Sequence, residues 1–490
     1  MTGIKIAVEA EDSVHKDRYS NNGSCPTWCF NSTCLVRVGK DVFVSATERV
    51  PGARPLSDCR WVLMRRTDDG WERIATDPGR TREPSPLAVL PPGRLLLSAN
   101  PTLTGPRARG GGPARPSILA FDPAGPAAPY KTLLPDWQGR PRFSEHSYRT
   151  FVADAASGEM LLFQNAGYSH SEWALLTSGG KWIAGKLKWP PYAKTDLAPY
   201  GARFARVNYP VVVLRNRAVH FCGVPAYDNW DRVRTVKDLG LGKDPNAPGQ
   251  SGSGGRMRGN RMRRLVYAWT EKAGEKPFHA WVEIDNSFAD GGWLFAGDAH
   301  LDAAGTLHML WTHCPMLPSV RNKLYKDIKR VYRIKYATIR NGKVVTRRTL
   351  VTAPEPAVLT DPGQVGRPYV LLSGERILGD GVPTPRFHVT PNGRLFVVYY
   401  IYEPREKADD LSENRILEIL PNGRPSKHAV IPLKHPLFQF FTATPRAGNA
   451  PSWTLDLFGH RRGGWTPREG AGFREYDGAM SYARIRLKGE

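Results

Sequence analysis

An all-β chain, folded as a seven-bladed β-propeller, is what this sequence predicts on three observations. Gly 48 and Pro 42 supply the turns of many short strands rather than the interiors of long helices. Fourteen Trp, 18 Tyr and 18 Phe suit half-buried pleated surfaces. A turn followed by four or five apolar residues recurs seven times along the chain. The 41% hydrophobic fraction is enough for a substantial core at this length.

The seven copies are, in order, Val38-GKDVFV, Leu90-PPGRLLLSA, Ala156-SGEMLLFQN, Leu214-RNRAVHFCG, Asp302-AAGTLHMLW, Thr390-PNGRLFVVYY and the looser Ala450-PSWTLDLFG. Their turn residues are Gly39, Gly93, Gly158, Arg217, Gly305, Gly393 and Ser452. Intervals of roughly 55 to 90 residues fit four-stranded blades with variable insertions. Two packed sandwiches would space their strands more tightly and give no reason for seven similar units. Residues 1–490 therefore read as one domain with long basic, Gly-rich loops near 101–117 and 239–264.

A formal net charge of +23 draws anionic partners: acidic glycan, nucleic acid or an acidic lipid surface. Arg256, Arg258, Arg261, Arg263 and Arg264 crowd the second loop. No aromatic-interleaved RNA-recognition motif accompanies them, so the sequence argues against nucleic acid and leaves a solvated loop or a funnel for acidic sugar. No segment has the ~18 apolar residues of a membrane helix, and Met1 to Asp12 lacks the basic-then-apolar pattern of a signal peptide.

Cys25, Cys29, Cys34 and Cys59 lie close together, which suits disulfides, buried thiols or a zinc site. Cys222 and Cys314 sit in apolar runs as core thiols. No carboxylate cluster marks a calcium site. A structural calcium or zinc ion is compatible with the chain, its ligands unknown, and the chemistry below requires no cofactor.

Titratable residues in strand-like apolar runs must be paired or face a funnel. Four segments qualify: Phe143-SEHSYRTF with His146, Tyr148 and Arg149; Gln164-NAGYSHSEWALL with Tyr168, His170 and Glu172; Arg206-VNYPVVVL with Tyr209; and Arg263-RLVYAWT with Arg264, Tyr267 and Trp269. His300, His308, His313 and His388 lie in similar runs. Structural roles are the first expectation for these four, with sugar or metal binding as the alternative.

The series HSYRTF, YSHSEW, NYPVVVLRNRAVHFCG, RRLVYAWT and FHVTPNGRLFVVYY resembles the propeller polysaccharide lyases of the ulvan lyase type, over about Asn21 to Leu487. That resemblance implies a seven-bladed propeller that breaks a glycosidic bond beside a uronic acid, glucuronate or iduronate linked to rhamnose, by β-elimination. It maps the catalytic histidines onto His146 and His170, the tyrosine onto Tyr209, and the carboxylate-neutralising arginine onto Arg264 or the adjacent Arg263. Arg149, Tyr168, Tyr267 and His388, with Arg263, are the expected sugar contacts. Removing the C5 proton of a uronate loads charge onto its carboxylate, so a cation must stabilise the intermediate. A neutral His can take that proton, and a Tyr phenol or second His can protonate the departing O4.

The implied partner is an acidic polysaccharide or oligosaccharide, met by a monomer with no membrane association. Such a substrate favours a secreted or periplasmic location, with the cytoplasm as the alternative. Two rival readings share the fold. Arg66-TDDGWE resembles the Asp-box turn of sialidases apart from the spacing to Trp71, but a sialidase- or rhamnosidase-like hydrolase normally needs paired carboxylates. A non-catalytic acidic-glycan-binding propeller would keep the basic rim without the His/Tyr/Arg set.

Overall fold

A computed structural model of the chain describes residues 4–15, 22, 27, 31–54, 56, 58–108, 112–125, 128–167, 169–190, 206–225, 262–287, 289–290, 292–314, 327–329, 331–354, 384–403, 411–461, 465–467, 474–476 and 480–489. The strands form seven four-stranded antiparallel sheets and two small ribbons.

The first strand, β1 (Ile4–His15), waits for the end of the chain. Blade one is β2 (Leu35–Val38), β3 (Asp41–Arg49), β4 (Cys59–Thr67) and β5 (Gly70–Thr76). Blade two is β6 (Leu87–Leu90), β7 (Arg94–Ala99), β9 (Ser117–Phe121) and β10 (Lys131–Leu133), with the short β8 (Pro113–Ala114) inserted before β9. The ribbon partner of β8 is β11 (Phe143–Ser144). Blade three is β12 (Thr150–Asp154), β13 (Glu159–Ala166), β14 (His170–Leu176) and β15 (Trp182–Lys188). Blade four is β16 (Val207–Arg215), β17 (Ala218–Pro225), β18 (Arg264–Thr270) and β19 (Val282–Asn286).

Blade five is β20 (Trp293–Leu301), β21 (Leu307–Cys314), β22 (Val331–Arg340) and β23 (Lys343–Pro354). Blade six is β24 (Arg386–Val389), β25 (Leu395–Glu403), β26 (Leu411–Ile419) and β27 (Ala429–Ile431). Blade seven begins with β28 (Leu437–Thr442) and β29 (Thr454–Arg461). After the ribbon β30 (Trp465–Pro467) and β31 (Arg474–Tyr476), β32 (Met480–Gly489) adds the third strand and β1 the fourth.

The first strands of successive blades touch one another, from β2 through β6, β12, β16, β20 and β24 to β28, which returns to β2. A closed ring of seven innermost strands results, so the chain is a seven-bladed β-propeller. Apolar faces of neighbouring blades fill the wedges between them. Val152, Leu161, Phe163 and Leu175 of blade three, for example, pack with Val212, Leu214, Val219 and Phe221 of blade four. Each such side chain contributes about 1.5–3 kcal/mol by leaving water.

All seven turn residues of the repeat fall between the first and second strand of a blade. In blade four, Arg215 pairs with Ala218, leaving Asn216 (φ 47°) and Arg217 (φ 65°) to turn the chain. Two left-handed residues in a two-residue turn match the twist of the flanking strands. Gly305 does the same job in blade five with φ 76°.

Two expectations change. The 101–117 segment is not simply a solvated loop: Leu103 N–H donates to the Pro113 carbonyl and Arg115 N–H to that of Pro101, and β8 pairs with β11. Of the 239–264 segment, 239–261 lie outside the described residues. Cys34, Cys59, Cys222 and Cys314 are buried thiols outside any disulfide, so the disulfide reading does not hold for Cys34 and Cys59; Cys25 and Cys29 lie outside the described residues. Among the described residues no three His, Cys, Asp or Glu side chains group as a metal site.

Two glycines separate backbone strain from collision. A Cβ at Gly305 would meet nothing within 4 Å, so Gly305→Ala should cost only the left-handed penalty of about 1–2 kcal/mol. At Gly448 (φ 88°) the Cβ would strike the Val89 carbonyl, and Gly448→Ala should destabilise by more than the ordinary range of about 0.5–3 kcal/mol. Chemical denaturation of the two variants checks this order, and equal losses would contradict it.

Candidate functional site

Because each blade meanders, its first strand begins, its second ends, its third begins and its fourth ends at one face. The segments joining blades cross that same face. His146, Tyr148, Tyr209, His170 and Arg264 therefore all belong to it: the first two precede β12, Tyr209 lies near the start of β16, and the others open β14 and β18. The innermost strands bring His146 and Tyr209 beside the axis. His170 and Arg264 sit on third strands, two strand spacings or about 10 Å farther out.

Near the axis the rings form one train. His146 meets Tyr148 edge-on at 4.8 Å, Tyr148 meets Tyr209 at 5.0 Å, and Tyr209 leans on Phe295 of blade five at 5.5 Å. His146, Tyr148 and Tyr209 are each partly exposed. Tyr148 (φ 47°) and Tyr209 (φ 50°) are both left-handed, a conformation that bulky residues hold only when surroundings impose it. At Tyr209 the pairing of β16 with β17 is interrupted between Asn208 and Val211, a bulge that re-aims the side chain.

Arginines frame the rings. The Arg206 guanidinium lies 4.8 Å from the centre of the Tyr148 ring, and its Nη2 donates to the His146 carbonyl at 3.0 Å. Arg82 pairs with Glu145 at 2.8 Å. Burial, then the charges of Arg82 and Arg206, push the His146 imidazole down to about 2. This histidine is neutral at any physiological pH.

The nearby carboxylates are spoken for. Glu145 is held by Arg82, and Glu83 accepts the Ser147 N–H at 2.6 Å, the Tyr148 N–H at 3.0 Å and the Ser147 hydroxyl at 2.8 Å. The basic 101–117 segment adjoins the same stretch, since Glu145 N–H donates to the Gly112 carbonyl. Its Arg107 and Arg115 are exposed.

His170 Nε2 donates to Glu172 Oε1 at 2.7 Å while Nδ1 accepts the Ser169 hydroxyl at 2.7 Å. Its strand partner Ala166 adjoins Asn165, whose N–H reaches the Ser147 carbonyl and whose side chain reaches that of Val207. Arg264, 39% exposed at the side chain, pairs with Glu283 at 3.3 Å.

Four expected sugar contacts are instead internal. Arg149 is 1% exposed and donates to the Glu83 and Pro84 carbonyls and the Ser85 hydroxyl. Arg263 is 4% exposed and donates to the Gly292 carbonyl, which leaves Arg264 as the solvent-facing member of the pair. Tyr267 is fully buried against His220. His388, also buried, donates from Nε2 to the Ser452 carbonyl at 2.8 Å. Each points along a packed interface, where no sugar reaches. Tyr168 lies outside the described residues.

The other histidines named from the sequence have partners within the protein. His308 bonds to Tyr336 and Asp302, His313 to Asp290, and the His300 ring lies 6.0 Å from that of His308. Sequence reasoning missed Arg82, Glu83 and the position of Arg206. Nothing local in REPSP, residues 82–86, marks it, and only the closed ring carries it to residues 145–148.

No protein-family model matches the chain, and no curated protein matches it. Solved structures similar to it include an ulvan lyase of polysaccharide lyase family PL25 bound to GlcA(1-4)Rha3S. That alignment has 10% identity, a TM-score of 0.48, and coverage of 97% of this chain and 95% of that one. Another is the polysaccharide lyase Uly1, at 10% identity, TM-score 0.46, and 98% and 99% coverage. A third is the GH93 α-L-arabinofuranosidase of Fusarium graminearum with arabinobiose, at 11% identity, TM-score 0.41, and 97% and 98% coverage. These likenesses concern the propeller architecture; the functional reading rests on the residues.

Burial also lowers His220, His300 and His388 to about 4 and His460 to about 3. With His146, five imidazoles are neutral in the folded protein yet take up protons near 6.5 once unfolded. In that window the unfolded state binds more protons, so stability is whole above about pH 6.5 and declines as pH falls. Calorimetry should give a lower Tm at about pH 5 than at about pH 7.5. The ring resonances of His146 should not titrate between those values, and a titrating His146 would contradict a ring held neutral by desolvation and the charges of Arg82 and Arg206.

Proposed function

We propose that this protein is a polysaccharide lyase that cleaves a bond beside a uronic acid, in a rhamnose-linked glucuronate or iduronate polymer, by β-elimination. The observation that carries the reading is a histidine held neutral in edge contact with Tyr148, which in turn meets Tyr209, inside an arginine-rich surround. Those groups suit proton transfer next to an anionic sugar. Hydrolysis would call for two available carboxylates about 5–9.5 Å apart, whereas Glu83 and Glu145, the carboxylates beside the rings, are buried and engaged.

In the proposed reaction the neutral His146 imidazole takes the C5 proton. The electrons of that C–H bond form the C4=C5 double bond, the C4–O4 bond breaks, and the Tyr209 phenol gives its proton to O4. A uronate carboxylate bound beside Arg82 and Arg206 is neutralised there, and Arg264 and His170, about 10 Å farther out, contact neighbouring sugars of the polymer. An imidazole at about 2 is a weak base in the free protein. A bound carboxylate near Arg82 and Arg206 offsets their charges and raises it, which couples basicity to an acidic substrate. The chemistry calls for no cofactor, and the substrate class favours a secreted or periplasmic monomer.

Incubation with a panel of uronate-containing polysaccharides should yield ultraviolet-absorbing unsaturated ends together with new reducing ends. Reducing ends without unsaturation would mean hydrolysis, and binding with neither product would mean a glycan-binding propeller. His146→Ala and Tyr209→Phe should each lower kcat by about 10²- to 10⁴-fold with little change in Tm. Arg264→Ala should reduce turnover and weaken binding of uronate substrates, while Arg263→Ala should act through stability.

Salt provides a separate check. Arg107, Arg115 and Arg264 act on an anionic polymer through solvent, where charges are screened beyond about 8 Å at physiological ionic strength. KM on an acidic polysaccharide should therefore rise with added salt, and a salt-independent KM would contradict the electrostatic part of the proposal.

A further inference from the structure

We infer that Glu83 is a positioning residue of the active site, fixing the backbone at residues 147 and 148 and so holding the Tyr148 ring between His146 and Tyr209. The inference rests on the lyase reading and deepens it. Glu83 itself sits in the connection between blades one and two and is fully buried at the side chain.

Its two oxygens divide the work. Oε1 accepts both the Ser147 N–H, at 2.6 Å, and the Tyr148 N–H, at 3.0 Å, while Oε2 accepts the Ser147 hydroxyl at 2.8 Å. Two successive N–H groups converge on one oxygen through the conformation of Ser147 between them, and the carboxylate thereby anchors the chain immediately ahead of the left-handed Tyr148, at φ 47°. Relaxing it to an ordinary φ would swing the Tyr148 ring off both His146 and Tyr209, breaking the train at its middle member.

Neighbouring groups fix the carboxylate in turn. Arg149 Nη1 lies 3.9 Å from Oε2 with both side chains at 0% exposure, and Arg149 Nη2 holds the carbonyls of Glu83 and Pro84. Asn100 Nδ2 approaches the Ser147 hydroxyl at 3.5 Å and donates to the Ser144 carbonyl at 3.0 Å. The carboxylate thus has no substrate-facing edge, and its influence on chemistry passes through residues 147 and 148.

The test compares Glu83→Ala, Glu83→Gln and Ser147→Ala in the full chain by thermal melting, steady-state kinetics on a cleaved uronate polymer, and near-ultraviolet circular dichroism of the tyrosines. Glu83→Ala should lower kcat about 100-fold, the cost of misplacing reacting groups by roughly 1 Å, while KM changes by less than about threefold. It should also shift the tyrosine dichroism. Glu83→Gln keeps an oxygen for the two N–H groups and should restore kcat to within about tenfold of wild type. Folded Glu83→Ala protein with wild-type kcat and dichroism would overturn the inference. If Glu83→Ala does not fold, Ser147→Ala decides: a loss of kcat with a shifted tyrosine signal supports the role, and no change in either refutes it. Should the wild-type protein cleave no uronate polymer, the lyase reading fails, yet the dichroism still reports whether Glu83 holds the tyrosines.

Discussion

Pairing of β1 with β32 runs from Ile4 opposite Gly489 to His15 opposite Met480 and joins the two ends of the chain into one blade. Everything else in the architecture depends on that ladder. A propeller is a ring, and a ring with one open junction exposes the apolar faces of two blades and an unpaired strand edge. With β1 in place, blade seven has its fourth strand, β28 can reach β2, and the seven first strands surround one axis. Only then do the connections between blades converge on a common face.

Convergence brings polar backbone into a crowded centre, and buried charges hold it there. Arg149 ties the connection after blade one to the one before blade three. Asp298 does the same around blades five to seven, accepting from Arg446 at 2.7 Å and from the Phe387 N–H at 3.0 Å. Arg386 reaches the Gly297 and Phe440 carbonyls. Removing one partner of such a pair leaves an uncompensated buried charge. These arginines belong to the scaffold, so the net charge of +23 overstates the positive charge available to a ligand.

His146 is neutral because it is desolvated beside two cations; Tyr148 meets it in a ring contact, and Tyr209 meets Tyr148. The exposed Arg107 and Arg115 adjoin the strand pair β8–β11, which leads directly into His146. In the proposed reaction the exposed arginines serve approach of the polymer, while Arg82 and Arg206 set the imidazole.

Turn chemistry and alternation are local, and the sequence alone determined them. Left-handed turns at Gly39, Gly93, Gly158, Arg217, Gly305 and Gly393 announce the seven blades with Ser452, and strand patterning places His146, Tyr209, His170 and Arg264 in strand-like apolar runs. Radial depth is not local. His388, Tyr267 and Arg149 lie in strand-like runs much like those of His146 and Tyr209, yet they point along packed interfaces, and Arg263 differs from Arg264 only by the alternation of the pleat. Glu83 and Arg206 became part of the site through ring closure alone, which brings the connection at 77–86 against residues 145–148 and Arg206 against Tyr148. The tertiary structure decided those roles because a side chain's exposure and partners depend on which blades close around it.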